Sequence, residues 1–93
     1  MTYKVVVKPE AESELIKALQ WYDEQKDSLG AKLYQDILAV IQKIEKNPQH
    51  FQKRYKNIRI GFTKRFRYGI HFTIENEVIF SHAFLHTSRE PRT

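Results

Sequence analysis

Alternation is the clearest pattern in the chain. Between residues 64 and 74, Phe66, Tyr68, Ile70, Phe72 and Ile74 fall on one side of an extended chain, and Arg65, Arg67, Gly69, His71 and Thr73 fall on the other. A period of two with one apolar side marks a half-buried strand. A second run covers residues 78–86 and follows the polar Glu75-Asn76-Glu77, so the pair predicts a β-hairpin. A two-residue loop at Asn76-Glu77 and a four-residue loop over 75–78 give the same register. Ile74 then faces Ile79, Ile70 faces Ala83 and Tyr68 faces Leu85. The opposite side gathers Arg67 with His86, His71 with His82, Thr73 with Phe80, and Gly69 with Phe84. A three-residue loop would slip the register by one and mix the faces, so it is rejected on burial grounds.

The upstream pattern supplies a cover for the apolar side. Residues 3–8 read as a short strand that Pro9 ends, and proline suits the first turn of a helix, where its missing N–H would have no partner. Glu10, Glu12 and Glu14 then sit at the positive end of a helix dipole. Ala11, Leu15, Ala18, Leu19 and Tyr22 recur at spacings of three and four, the apolar face of a first helix. Trp21 lies off that stripe, flanking the core or meeting a partner. Asp27 or Ser28 is the expected N-cap of a second helix, whose apolar face is Leu33, Tyr34, Ile37, Leu38, Ile41 and Ile44. Asn47-Pro48 stops it. Residues 49–57 read as a basic, aromatic loop. A further alternating strand follows, with Ile58, Ile60 and Phe62 toward the helices and Arg59 on the other side.

The order strand, helix, helix, strand, strand, strand predicts an α+β fold: an antiparallel sheet backed on one face by an α-helical hairpin, in a single domain over residues 1–93. The chain is long enough for one modest core. It has no cysteine, which excludes disulfides and thiolate metal sites. It also has no apolar run of the roughly 18 residues a membrane span needs and no signal peptide, so a cytoplasmic protein without a membrane partner is expected.

Charge changes the picture most. The net charge is +5, but residues 1–47 hold seven Lys/Arg against eight Asp/Glu, whereas residues 48–93 hold nine against three. Residues 53–67 contain seven basic residues and no acid. One reading is a solvated basic surface; the other is a contact for an anionic partner, either nucleic acid or an acidic protein segment.

If the helices cover the apolar side, the second side of the hairpin becomes the candidate site. It would present Arg59, Arg65, Arg67, His71, His82 and His86 with Phe80 and Phe84, flanked by Lys64 and by Arg89 in the tail. Guanidinium groups match phosphate oxygens, and imidazole moves protons near neutral pH. Exposed rings beside cations suit base stacking or a partner's apolar side chains. Plainer readings stand beside these: solvent-facing arginines, a stacked or hydrogen-bonded His71–His82 pair rather than a metal site, and Phe84 covering Gly69. No cofactor or metal is called for.

Several segments together resemble the RelE/ParE superfamily of bacterial toxins from type II toxin–antitoxin systems. They are Val-Val-Val-Lys-Pro-Glu-Ala-Glu at residues 5–12, Leu-Gly-Ala-Lys-Leu at 29–33, Ile-Glu-Lys-Asn-Pro at 44–48, the basic-aromatic segment 58–70, and Phe-Leu-His-Thr-Ser-Arg at 84–89. The resemblance implies a small sheet backed by a helical hairpin and a cognate antitoxin that wraps the toxin. It also implies one of two activities. RelE-like members are similar to ribosome-dependent endoribonucleases that cut mRNA without a metal; ParE-like members inhibit DNA gyrase and are not nucleases, a branch tied to plasmid stabilisation. Were the chain a ribonuclease, Arg65, Arg67 and His86 would be its catalytic candidates. Gly69, however, stands where RelE-like nucleases carry an arginine after the aromatic Tyr68, and the late tyrosine of some of them is missing. These departures favour the ParE-like branch, with an acidic antitoxin and gyrase as partners. The alternatives are ribosome-bound mRNA as target or a non-toxic binding module of the same fold.

Overall fold

A computed structural model describes residues 3–87 of the 93. Strand β1 (Lys4–Val7) leads into helix α1 (Pro9–Gln25), which has Pro9 at its first turn and Glu10 and Glu12 near its N-terminus. Helix α2 (Leu29–Lys46) follows and ends before Asn47 and a 3₁₀ turn over Pro48–His50. The remaining strands are β2 (Lys53–Tyr55), β3 (Ile58–Phe62), β4 (Tyr68–Glu75) and β5 (Val78–His86). They form one mixed sheet of order β1-β5-β4-β3-β2 in which β1 runs parallel to β5 and the other pairs are antiparallel. The α+β architecture expected from the sequence is therefore present, with one short strand, β2, in the stretch expected to be loop.

The helices cover one face of the sheet. Ala11, Leu33, Ile37, Val40 and Ile44 from the hairpin pack with Tyr68, Ile70, Phe72, Ile79 and Phe84 from the strands. Val40 belongs to the buried stripe of α2, whereas Tyr34 and Leu38, expected inside, are 44% and 37% exposed.

Two glycines mark where elements approach most closely. A Cβ on Gly30 would lie 2.7 Å from both the Leu19 carbonyl oxygen and Asp23 Oδ1, so this residue is the crossing point of the helical hairpin. The Gly30 N–H donates to Asp23 Oδ1 at 2.8 Å. Ser28 occupies the N-cap position, as expected, but in a left-handed conformation and without a side-chain cap bond. A carboxylate from the first helix thus takes one of the free N–H groups at the start of the second. A Cβ on Gly61 would lie 2.9 Å from Val40 Cγ1 and 3.1 Å from Ile44 Cδ1.

That approach reverses the expected facing of β3. Gly61 pairs with Ile70 and Arg59 with Phe72, both core residues, and directly paired residues share a face. Arg59 therefore points to the helix side, and Ile58, Ile60 and Phe62 lie on the second face. A bulky residue at position 61 would hold β3 away from α2, so the glycine decides which set turns inward.

Candidate functional site

The hairpin turn is built as expected near its tip. Glu75 pairs with Val78, Ile74 with Ile79 and Thr73 with Phe80, around a two-residue turn in which Asn76 is left-handed (φ 59°). Asparagine tolerates that region better than most residues. Further along, the register changes. Phe72 pairs with Ser81 but His71 pairs with Ala83, leaving His82 as the extra residue of a β-bulge. Every pair beyond it is displaced by one: Ile70 faces Phe84, Gly69 faces Leu85 and Tyr68 faces His86.

The bulge breaks up the expected cluster. Phe84 moves into the core and is 3% exposed, so it neither belongs to the second face nor covers Gly69. His86 packs edge-on against Tyr68, with ring centroids 5.3 Å apart. β4 begins at Tyr68 rather than at residue 64, so Lys64, Arg65 and Arg67 are loop residues and not strand residues. Arg59 donates from Nη1 to the Phe51 carbonyl at 2.5 Å and to the Gln49 carbonyl at 3.3 Å, tying β3 to the segment after the 3₁₀ turn. Arg89 lies outside the described residues. Thus Arg65, Arg67 and His86 do not share one platform with His82, as the uniform alternation implied.

His71, Phe80 and His82 do remain together on the second face, with residues that the sequence did not single out. The buried His71 accepts or donates at Nδ1 with the Tyr55 hydroxyl, 2.9 Å away, and His82 Nε2 is 2.8 Å from Thr73 Oγ1. The two imidazoles bond to different partners, and the residue directly opposite His71 is Ala83 rather than His82. Lys8 Nζ stands 5.5 Å from the Phe80 ring centroid. A cavity of about 380 Å³ is lined by Lys8, Glu10, Glu14, Tyr55, His71, His82 and Ala83. Among the described residues, no three His, Cys, Asp or Glu side chains are placed to hold a metal ion. Tyr55 was hidden because a three-residue strand is too short to show alternation.

A second cavity, about 290 Å³, opens where β5 outruns β1. β1 pairs only as far as Ser81, and beyond it the flank of α1 takes the place of a neighbouring strand. Glu14, Lys17, Ala18 and Trp21 face Tyr68, Phe84 and His86 across the gap. Glu14 Oε1 accepts the Phe84 backbone N–H at 3.1 Å.

Side chains hold the backbone of the β3–β4 loop. Asp36 Oδ2 accepts the N–H groups of Arg65 (3.0 Å) and Phe66 (3.2 Å). Thr63 closes the loop on Tyr68 through its backbone N–H (2.9 Å) and its Oγ1 (2.8 Å). Lys64, Arg65 and Arg67 are exposed. Asp36 had no sequence signal, being one more polar residue on a helix.

Among the described residues no helix is long and apolar enough to cross a membrane. Comparison with curated proteins finds no match. Among solved structures, a chain of the chromosomal ParDE toxin–antitoxin system from P. aeruginosa superposes with a TM-score of 0.80 over 91% of this chain and 96% of that one, at 12% identity. So low an identity establishes a shared fold. Residues 5–91 match the family described as the ParE toxin of the type II toxin–antitoxin system parDE. The chain belongs to the ParE family of toxins from type II toxin–antitoxin systems.

Proposed function

We propose that this toxin arrests bacterial growth in the cytoplasm by inhibiting DNA gyrase, and that a cognate antitoxin releases the inhibition. The observation that supports gyrase over mRNA is the match of residues 5–91 to the ParE toxin family. Gly69, standing where RelE-like nucleases carry an arginine, points the same way.

The antitoxin, in this reading, docks on the helical hairpin. Ile16 on α1 is 48% exposed, and Tyr34 and Leu38 stand one turn apart on α2. Exposed large apolar side chains on one helical layer fit an amphipathic segment laid against them. The basic second half of the chain steers an acidic partner toward the toxin.

Expression of the toxin alone, followed by expression with its antitoxin, tests the reading in cells. Growth arrest with relaxed plasmid DNA and intact mRNA, reversed by the antitoxin, is the expected result. Arrest with cleaved mRNA and normal supercoiling would contradict it, and unaffected growth would leave only a binding module.

A further inference from the structure

The end of the sheet at the β3–β4 loop combines exposed cations with an exposed aromatic ring. Three cations, Lys64, Arg65 and Arg67, lie within four residues and are exposed. Phe62, the residue that ends β3, is 44% exposed, and the Arg54 guanidinium lies 5.4 Å from its ring centroid. No acidic residue occurs between positions 53 and 67. Among the described residues, Asp36 reaches this loop and is already engaged by two of its backbone amides.

The backbone of the loop is fixed from several sides. Asp36 holds Arg65 and Phe66, Thr63 closes on Tyr68, and the Thr87 N–H donates to the Arg67 carbonyl at 2.9 Å. Phe66 is anchored edge-on to Tyr22, with ring centroids 5.2 Å apart. Arg67 is held left-handed at φ 59°, a conformation that disfavours a residue with a Cβ. A loop that needed only solubility gains nothing from an arginine at such a position. With its amides bonded inward, the loop presents its cationic side chains outward from a rigid base, which lowers the ordering cost of binding.

We propose that Arg54, Phe62, Lys64, Arg65 and Arg67 form a binding surface for single-stranded nucleic acid. The cations contact phosphates, and the exposed ring stacks a base. Cations interleaved with an exposed aromatic are the recurrent composition of single-strand binders, because every base has a π-face and every linkage a charge. A partner recognised through charge alone would leave the exposed Phe62 without a role. The surface stands on charge and exposure and does not depend on gyrase being the target.

Fluorescence anisotropy with labelled single-stranded and duplex DNA, across a salt series, tests this on the full chain. The single strand is expected to bind more tightly than the duplex. Replacing all three loop cations (K64Q, R65Q and R67Q together) should reduce the slope of log affinity against log salt by about 2, at roughly 0.7 per phosphate contact on single strands. F62A should weaken single-strand binding by at least about fivefold, the lower end for one stacked base, and leave duplex binding unchanged. If the triple variant melts below the parent, R65Q alone carries the same test through a slope change of about 0.7. The proposal is overturned if neither DNA binds at low salt, if the loop variants keep the parent's slope, if the duplex binds more tightly, or if only an acidic peptide binds.

Discussion

Glu14 and Phe84, seventy residues apart in the chain, meet where the sheet runs out of strands: the carboxylate oxygen of the first accepts the backbone N–H of the second at 3.1 Å. An open strand edge invites pairing with another chain, and a charged side chain placed on it is one of the ways proteins block that. Glu14→Ala should lower stability by about 1–2 kcal/mol, the range for a hydrogen bond to a charged acceptor, somewhat reduced by solvent. Glu14→Gln keeps a carbonyl oxygen and should cost less than half as much. Urea midpoints of the two variants check this; equal midpoints for Ala and wild type would mean that the bond does not hold the edge.

The close approach at Gly61 gives a second expectation. A methyl group there meets Val40 Cγ1 at 2.9 Å, Phe51 Cε2 at 3.0 Å and Ile44 Cδ1 at 3.1 Å. All three are side-chain atoms and can shift, so Gly61→Ala should fold but lose about 1–3 kcal/mol, as overpacked cores do. A melting temperature equal to the parent's would show that β3 is not held against α2 as tightly as described.

Asp36 offers a test confined to one loop. Both amide bonds end on the same oxygen, so Asp36→Asn retains an acceptor and Asp36→Ala removes it. Hydrogen exchange at the Arg65 and Phe66 amides should quicken strongly in the alanine variant and little in the asparagine variant. The stability loss for alanine should be about 1–3 kcal/mol, since two donors lose their partner.

Ser81 predicts a change in the opposite direction. Its hydroxyl oxygen is buried beside Phe72 and has no hydrogen-bond partner among the described residues. Ser81→Ala removes that unsatisfied group without disturbing the Ser81 carbonyl, which accepts from the Lys8 N–H at 2.9 Å. Stability should stay level or rise by up to about 1–2 kcal/mol. A clear loss in thermal unfolding would mean that the hydroxyl is bonded.

These cases show which features the sequence carried. Helix limits at Pro9 and Asn47, the core-facing stripe of α1, buried at Ala11 and partly buried beyond it, and the apolar side of β4 follow from periodicity and proline chemistry, which are local. The facing of β3 and the position of the bulge are not local. Ile58, Ile60 and Phe62 alternate as an inward face should, yet Gly61 is the residue that α2 needs opposite it. His82 fits the alternation of β5 as well as its neighbours do, yet the register shifts at it and Phe84 rather than Ala83 faces Ile70. One extra residue on one strand then moved Phe84 inward and His86 against Tyr68, and with them went the assembled cationic platform. Lys64, Arg65 and Arg67 kept the alternating pattern but lie beyond the strand, because Asp36 and Thr63 bind their backbone into a loop.

The docking surface on the helical hairpin is open to a direct experiment. Tyr34→Asp and Leu38→Asp place charges on exposed apolar positions of α2 and should leave the fold intact. Each should weaken antitoxin binding by about tenfold or more, as expected where an apolar anchor is lost from an interface. Gyrase inhibition by the free variants should be unchanged. Calorimetric titration of antitoxin into each variant measures the first effect, and unchanged affinity would place the antitoxin elsewhere.

Adding the purified toxin, freed of antitoxin, to DNA gyrase and relaxed plasmid tests gyrase inhibition most directly. Supercoiling should fall with toxin concentration and recover when the antitoxin is added, while mRNA on ribosomes treated in parallel stays whole. Undiminished supercoiling together with cleaved mRNA would contradict the account.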